Sequence, residues 1–472
     1  MAVATSVPDT TSEIKFERVK YQYLAVLCAN IIALSHGSAI GWLSPALPIL
    51  QSNDSPLETG AATLSESSWI GSSFSIGSIL GNCIFALMAY YIGRKKTMCC
   101  LAFPNLIFWL FVMFGNRVYH LYIGRILAGM TGGGMYVCIP LFVAEIAHSS
   151  IRGSLGSLMM VICCTGILLG YTAGAFISYQ IIPYVFIALP IIFLTTFIFF
   201  PETPQFLLIK NDFASAEKSL RFYVNNQSTS KQNLALIQSE LENIQKVITK
   251  EQEEKLNRNI FNILFTAAAI KAILIGLCLT VVSLCSGCFV MISYAATIFR
   301  DSGSDLDPNS CTMIVGVIQV LGVYTSSILV DRIGRKILLI ASASGASLAL
   351  AALGTFSYLS THDIDLTRFN WIPLLAFSVY VFVTSIGIVP LPFIVLAEII
   401  PHKIRDVGTT ICMTSISAFA FITMKTFPPL VSTLGLYSVM YIYCGVCVFG
   451  VIFGVFILTE TKGKNLNKLD ES

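Results

Sequence analysis

Apolar residues in this chain come in long runs, not in the short alternation of a half-buried strand. Twelve runs are about 20 residues or longer, the length a helix needs to cross a bilayer. They cover 21–44, 68–91, 97–115, 119–142, 154–176, 182–200, 268–299, 310–330, 337–358, 370–397, 407–430 and 433–458. Strands of a membrane barrel would be about 10 residues of alternating polarity, and no stretch alternates that way. The pattern predicts an all-α membrane protein. Residues 1–20 are polar and carry Lys15, Arg18 and Lys20, with no short apolar core and small-residue cleavage site, so the first run is expected to stay as an anchor. Segment 201–267 is the one long polar stretch between runs. Its interleaved Lys, Arg, Glu and Asp, with Leu and Ile between them, predict short amphipathic helices on the cytoplasmic surface. The expected organisation is a cytoplasmic tail (1–20), a six-helix bundle (21–200), a helical linker (201–267), a second six-helix bundle (268–458) and a cytoplasmic tail (459–472).

Composition removes the competing classes. The 472 residues are 55% hydrophobic and 12% charged, whereas soluble domains carry about 25% charged residues. A soluble fold of this size, a disordered chain and a disulfide scaffold are excluded. A net charge of +3 is too small to imply nucleic acid or another polyanion. The placement of the few charges then orients the chain. With both termini inside, the short cytoplasmic loops hold Arg94, Lys95, Lys96, Arg152, Arg332, Arg335, Lys336, Lys403 and Arg405, and the outer loops only Arg117, Arg300 and Arg368. The expected location is the plasma membrane, with the lipid bilayer as surroundings. The first outer loop holds Asn53-Asp54-Ser55, a glycosylation acceptor on the correct side, while Asn226-Gln227-Ser228 lies inside. The fourteen cysteines are scattered through apolar runs and read as small hydrophobes. Cys285 and Cys288, in C-x-x-C spacing, would share one helix face.

The two halves look like copies. Gly93-Arg94-Lys95 after the second span recurs as Gly334-Arg335-Lys336 after the eighth, where it follows Asp331-Arg332. Pro140…Glu145…Arg152 recurs as Pro392…Glu398…Arg405, with seven residues from Glu to Arg each time. Glu202, in Pro201-Glu202-Thr203-Pro204 after span 6, has an echo in Glu460 after span 12. Each glycine lets the backbone reverse tightly, and each arginine can fork onto a carboxylate or onto helix-end carbonyls. The expected cytoplasmic gate is Arg94, Glu145, Arg152, Glu202, Asp331, Arg335, Glu398, Arg405 and Glu460. Its ion pairs would hold the two halves shut on one side and break as they rock apart.

These motifs resemble the sugar porters of the major facilitator superfamily over nearly the whole chain. Gly41-Trp42-Leu43-Ser44-Pro45-Ala46-Leu47-Pro48, Ser68-Trp69-Ile70-Gly71-Ser72, Ser286-Gly287-Cys288-Phe289 and Lys425-Thr426-Phe427-Pro428 look like the insect branch of facilitated trehalose/glucose transporters. The resemblance implies twelve transmembrane helices in two pseudo-symmetric six-helix bundles, the major facilitator fold, with a central sugar cavity and alternating access. It also shows departures. The two amides usual in span 7 fall on Ser283 and Leu284, the asparagine on Phe289, the span 5 glutamine on Met160, the span 10 tryptophan on Phe393 and the span 11 Asn-Trp pair on Ile416 and Ser417. Tyr90 replaces an acidic residue in the first gate turn, and Gln205 an arginine. Gln319 and Tyr294 are kept. The expected sugar-binding set is Gln319, Phe393, Ser283, Tyr294, Thr414, Ser417 and Phe289, with the two phenylalanines as apolar walls. For each hydroxyl the competing role is a bond to its own helix.

Facilitated diffusion is the expected mode, because proton-coupled porters keep a carboxylate in the membrane. Span 1 has none, and its only titratable group is His36. Lys271 and Lys425 would snorkel to the headgroups, and the small residues after Gly124-Arg125 would let helices approach closely. Gly132-Gly133-Gly134 lies mid-span and fits close helix packing better than a phosphate loop. The alternatives are a proton symporter using His36 and a sugar receptor that moves nothing. Against the receptor, only twelve residues follow Glu460, whereas signalling porters carry long tails. No nucleotide loop, metal cluster or nucleophile–base set is present, so no enzyme, cofactor or metal site is expected. The carrier is expected to act as a monomer.

Overall fold

The computed structural model describes residues 19–148, 150–224, 231–256, 266–302, 306–362, 364–400 and 405–460; the side chains at 231–236, 251–256, 268, 331, 397 and 405–407 lie outside that set. All regular structure among the described residues is helical. Eleven helical segments are long and apolar enough to cross a membrane, and the shorter apolar helix Ile182–Phe197 occupies the place of the sixth span. The first span, Lys20–Leu50, is three consecutive helices. Its outer end joins the second span (Leu64–Tyr91) through a loop in which Asn53 is exposed. A capping box starts that second helix: Thr63 Oγ1 accepts from the Glu66 N–H, while the Glu66 carboxylate accepts from the Thr63 N–H. The linker forms the helices Pro204–Ile209, Phe213–Tyr223 and Lys231–Leu256. They share a small core of Leu208, Ala216, Leu220, Ile237, Leu241 and Ile248, as the amphipathic pattern predicts.

Packing follows the repeat. In the first half span 1 packs on span 5, span 2 on span 4 and span 3 on span 6; in the second half span 7 packs on 11, span 8 on 10 and span 9 on 12. Between the halves span 2 meets span 11 and span 5 meets span 8, which are equivalent contacts under a six-span shift. The mid-span glycines serve close approach: a Cβ on Gly133 would strike the Ser78 carbonyl oxygen, and one on Gly132 the His36 ring.

One buried apolar cluster runs through both halves, from Trp42, Phe108 and Trp109 to Phe299, Phe377 and Tyr380. A separate cluster, with Phe142, Phe193 and Phe197, belongs to the first half alone. The continuous cluster includes one end of spans 1 and 7 (Leu47, Leu50, Ile298, Phe299), so the two halves pack together there.

Span 7 is not one helix. It runs Ala267–Cys285, Cys288–Ser293 and Ala295–Asp301. Gly287 has φ +91°, and a Cβ there would strike the Tyr443 ring. The break falls between Cys285 and Cys288, so the two thiols do not share a helix face as the spacing suggested; both are free. Span 10 is likewise interrupted between Ile386 and Leu391.

Candidate functional site

The two charge clusters are built alike. In the first half Arg94 donates through Nε to Glu145 Oε1 at 2.9 Å, with Nη2 2.7 Å from the same oxygen. Its Nη1 donates to the Ala89 carbonyl at 3.2 Å, at the end of the preceding helix. Thr203 Oγ1 donates to Glu145 Oε2 at 2.5 Å. In the second half Arg335 Nη2 donates to Glu398 Oε1 at 2.7 Å and Nη1 to the Val330 carbonyl at 3.0 Å. Each arginine thus takes a carboxylate and a helix-end carbonyl together.

Glu202 and Glu460 do something that the sequence repeat alone does not reveal. Glu202 Oε1 accepts from the Lys95 N–H at 2.9 Å. Glu460 accepts from the Arg335 and Lys336 N–H groups at 3.0 and 3.1 Å. Both carboxylates therefore cap the N-terminus of the helix that opens span 3 or span 9, where an anion meets unpaired N–H groups. Gly93 (φ +106°) and Gly334 (φ +98°) make the room: a Cβ at either would strike the capping carboxylate.

Two gate expectations change here. The described ion pairs join Arg94 to Glu145 and Arg335 to Glu398, within one half each, so these contacts tie a half to itself and do not latch one half to the other. The reason is reach: each arginine sits in a tight turn beside the inner end of its own span 4 or span 10. Arg152 is exposed and donates from Nη2 to the Ala147 carbonyl at 3.3 Å, and its described hydrogen bonds do not reach Glu145. The side chains of Asp331 and Arg405 lie outside the described residues.

Of the expected sugar-binding residues, Tyr294, Ser417 and Phe393 touch the other half. Tyr294 is buried, its ring 5.0 Å from Phe427, and a Cβ on Gly71 of the other half would strike its hydroxyl. Ser417 Oγ lies 3.2 Å from Ser78 Oγ of span 2. Gln319 is buried on span 8, with Oε1 unpaired among the described residues. Phe393 stacks on Tyr136 of span 4, centroids 5.7 Å apart and rings 17° from parallel, so the face expected to meet sugar meets Tyr136. Ser283 is buried and its carbonyl accepts from Ser286 Oγ; Phe289 and Thr414 are half-buried. Among the described residues no hydrogen bond links Gln319, Ser283 and Tyr294 to one another.

Above Tyr294, on the outer side, a cavity of about 200 Å³ opens between the halves. Tyr294 and Phe427 form its apolar floor, with Gln51, Thr297, Arg300 and Asp301 among its polar walls. Thr297 Oγ1 is buried without a partner among the described residues. Below it the breaks in span 7 are served by the other half. Ser44 Oγ accepts from the Ala296 N–H at 2.9 Å, and Tyr171 donates to the Ile292 carbonyl at 2.6 Å. Backbone groups freed inside a bilayer need such partners.

Arg125, Lys425 and His36 complete the picture. Arg125 is fully buried; it donates to the Ile70 and Ala39 carbonyls at 3.2 and 2.8 Å and lies 4.5 Å over the Phe74 ring. Lys425 does not snorkel: its Nζ donates to Ser68 Oγ, across the seam. His36 is buried, stacked 5.3 Å from Phe74, with Nδ1 unpaired among the described residues.

A family model described as "Sugar (and other) transporter" matches residues 25–472. The "Facilitated trehalose transporter Tret1" of Apis mellifera ligustica is 32% identical over 460 residues, covering 97% of this chain and 89% of the relative. That of Bombyx mori is 30% identical over 449 residues, covering 95% and 86%. Among solved structures, the inward-open xylose transporter XylE of E. coli superposes with a TM-score of 0.77 at 23% identity, covering 96% of this chain and 99% of that one. The proton:xylose symporter XylE bound to 6-bromo-6-deoxy-D-glucose gives 0.75 at 22%, covering 96% and 98%. The arrangement of helices is therefore that of the major facilitator fold.

Proposed function

The chain belongs to the family of sugar and other transporters, and we propose that it is a facilitative carrier for a sugar, hexose or trehalose, working by alternating access. One observation carries the uniport reading: not one Asp or Glu lies within the twelve apolar runs. Coupling to protons needs a group that titrates as substrate binds, and in membrane carriers that is ordinarily a carboxylate. Arg125 is consistent with this, since carbonyls and an aromatic face hold it. Sugar reaches the seam through the outer cavity over Tyr294 and meets Gln319, Ser283 and Ser417 within it, with Phe289, Thr414 and Phe393 alongside. The halves that rock are 21–200 and 268–458, joined by the linker 201–267. The carrier sits in the plasma membrane as a monomer with both termini inside, and Asn53 is a glycosylation site.

In oocytes expressing the chain, labelled hexose or trehalose is expected to enter saturably and at the same rate at two pH values. Normal surface expression with no uptake of any sugar overturns the proposal. Sugar-evoked inward current that grows on acidification and disappears in His36→Ala would establish the symport reading, which rests on the buried, unpaired His36 Nδ1. Binding without flux would establish a receptor.

A further inference from the structure

Span 11 offers two side chains one helical turn apart, Phe421 and Lys425, to a single ring on the other half. The ring is Trp69, near the outer end of span 2. Its centroid lies 6.1 Å from that of Phe421, tilted by 54°. Lys425 Nζ stands 4.0 Å from the Trp69 ring centroid. The same ammonium donates to Ser68 Oγ at 2.8 Å, and the Ser68 hydroxyl donates on to the Ser65 carbonyl at 2.8 Å. No ion pair to Lys425 occurs among the described residues, so the partners of this half-buried cation are an indole face and one hydroxyl. An indole face attracts a cation through its quadrupole, and more strongly where water is scarce. A lysine near a helix end has the alternative of extending to the headgroups. Here it turns inward and grips the neighbouring half.

We propose that Trp69, held between Phe421 and Lys425 with Ser68 completing the contact, is the latch that keeps the outer ends of the two halves together. Lys425 is a positioning residue for the transport cycle, because opening outward separates the outer ends of spans 2 and 11. Each opening then breaks a cation–π contact and a charge-assisted hydrogen bond. Weakening the latch raises the outward-open fraction, and apparent affinity on each side follows the fraction of carrier open to it. The inference rests on alternating access and not on the identity of the cargo.

The test places a reporter in the outer cavity, Thr297→Cys, and measures its modification by a membrane-impermeant maleimide on intact cells. The chain without the reporter supplies the background of its fourteen natural cysteines. Adding Lys425→Met should speed modification by roughly threefold to tenfold, the range expected for losing one partly desolvated cation–π contact with its hydrogen bond. Trp69→Leu should act in the same direction from the other half. Lys425→Arg keeps the cation and should stay near the parent rate, which a purely steric role for Lys425 does not predict. Where sugar flux is measurable, the ratio of efflux KM to influx KM should rise by a similar factor in Lys425→Met. Modification rates in Lys425→Met and Trp69→Leu no faster than in the reporter parent, or a Lys425→Arg as fast as Lys425→Met, overturn the latch. If Lys425→Met fails to reach the surface, Trp69→Leu decides by the same rate. The labelling needs no transported sugar, so failure of the latch and failure of the sugar assignment are separately visible.

Discussion

The two ends of the molecule hold together by different chemistry. At the end that carries the repeated Gly-Arg-Lys turns, Arg94 with Glu145 and Arg335 with Glu398 join elements of the same half. At the other end ion pairs also stay within one half, Arg117 with Glu58 and Arg300 with Asp301, while the contacts that cross between halves are, apart from Lys425, neutral: Ser44 with the Ala296 N–H, Tyr171 with the Ile292 carbonyl, Trp69 with Phe421. A largely buried ion pair is expensive to break by removing one partner, whereas a neutral hydrogen bond contributes only about 0.5–1.5 kcal/mol net. Strong links therefore sit where the structure must stay rigid, and weak ones along the surface that must open and close.

The sharpest way to break this contrast is to remove one charge from an inner cluster. In Arg94→Ala the Glu145 side chain, 3% exposed, is left without its cation. The expected loss is about 3–5 kcal/mol of first-half stability, read as a lower melting temperature and less folded protein at the surface. Arg335→Ala should cost less, because Glu398 is 27% exposed and can rehydrate. If either variant instead folds normally and only changes the balance of influx and efflux KM, the inner pairs do act between the halves.

At the outer end Ser44→Ala removes the acceptor for the Ala296 N–H. The unpaired donor should disfavour the outward-closed state by about 1–3 kcal/mol. That effect belongs in the rate at which a Thr297→Cys reporter is modified, with a smaller change in melting temperature. A fall in melting temperature as large as that of Arg94→Ala would contradict the division of labour.

The smallest effect concerns Asp307, outside the membrane at the start of span 8. The Ser310 hydroxyl first, and its backbone N–H second, hold this carboxyl below the usual aspartate range. A carboxyl lowered on folding stabilises above its unfolded pKa of about 3.9, and the contribution is lost as pH falls through the lower folded value. Asp307→Asn keeps a capping side chain and should cost only a few tenths of a kcal/mol at pH 7. Melting curves of the purified protein between pH 5 and pH 3 should converge for the two chains; parallel curves would show that the carboxylate contributes nothing there.

Much of the fold was legible in the chain because membrane crossing is a local property: about 20 apolar residues suffice, whatever they pack against. The sixth span was legible for that reason even though its helix is short. The inner clusters were legible as a repeat, since Gly-Arg-Lys and Glu-x6-Arg recur in order. Their pairing was not. The repeat put Arg94, Glu145 and Arg152 in one set without saying which charges meet, and the cation on Glu145 is Arg94, 51 residues back. Glu202 caps the helix Arg94–Phe114 through the Lys95 N–H, 107 residues earlier, and no local pattern marks such a cap. Gln319 and Tyr294 are proposed for the site on resemblance alone, while the contact of Phe393 with Tyr136 and the turn of Lys425 onto Trp69 depend on which faces of four helices meet across the seam.

The sequence by itself determined how many times the chain crosses the membrane, that its halves are copies, and that no Asp or Glu falls within the twelve apolar runs. These follow from residue type and local spacing. Only the tertiary structure decided which half each charge serves, where the cavity between the halves lies, and which backbone groups freed at the breaks of span 7 are met by the other half. Those outcomes depend on contacts between residues far apart in the chain, 252 positions for Ser44 and Ala296 and 357 for Ser68 and Lys425, and helix-face geometry rather than sequence proximity selects them.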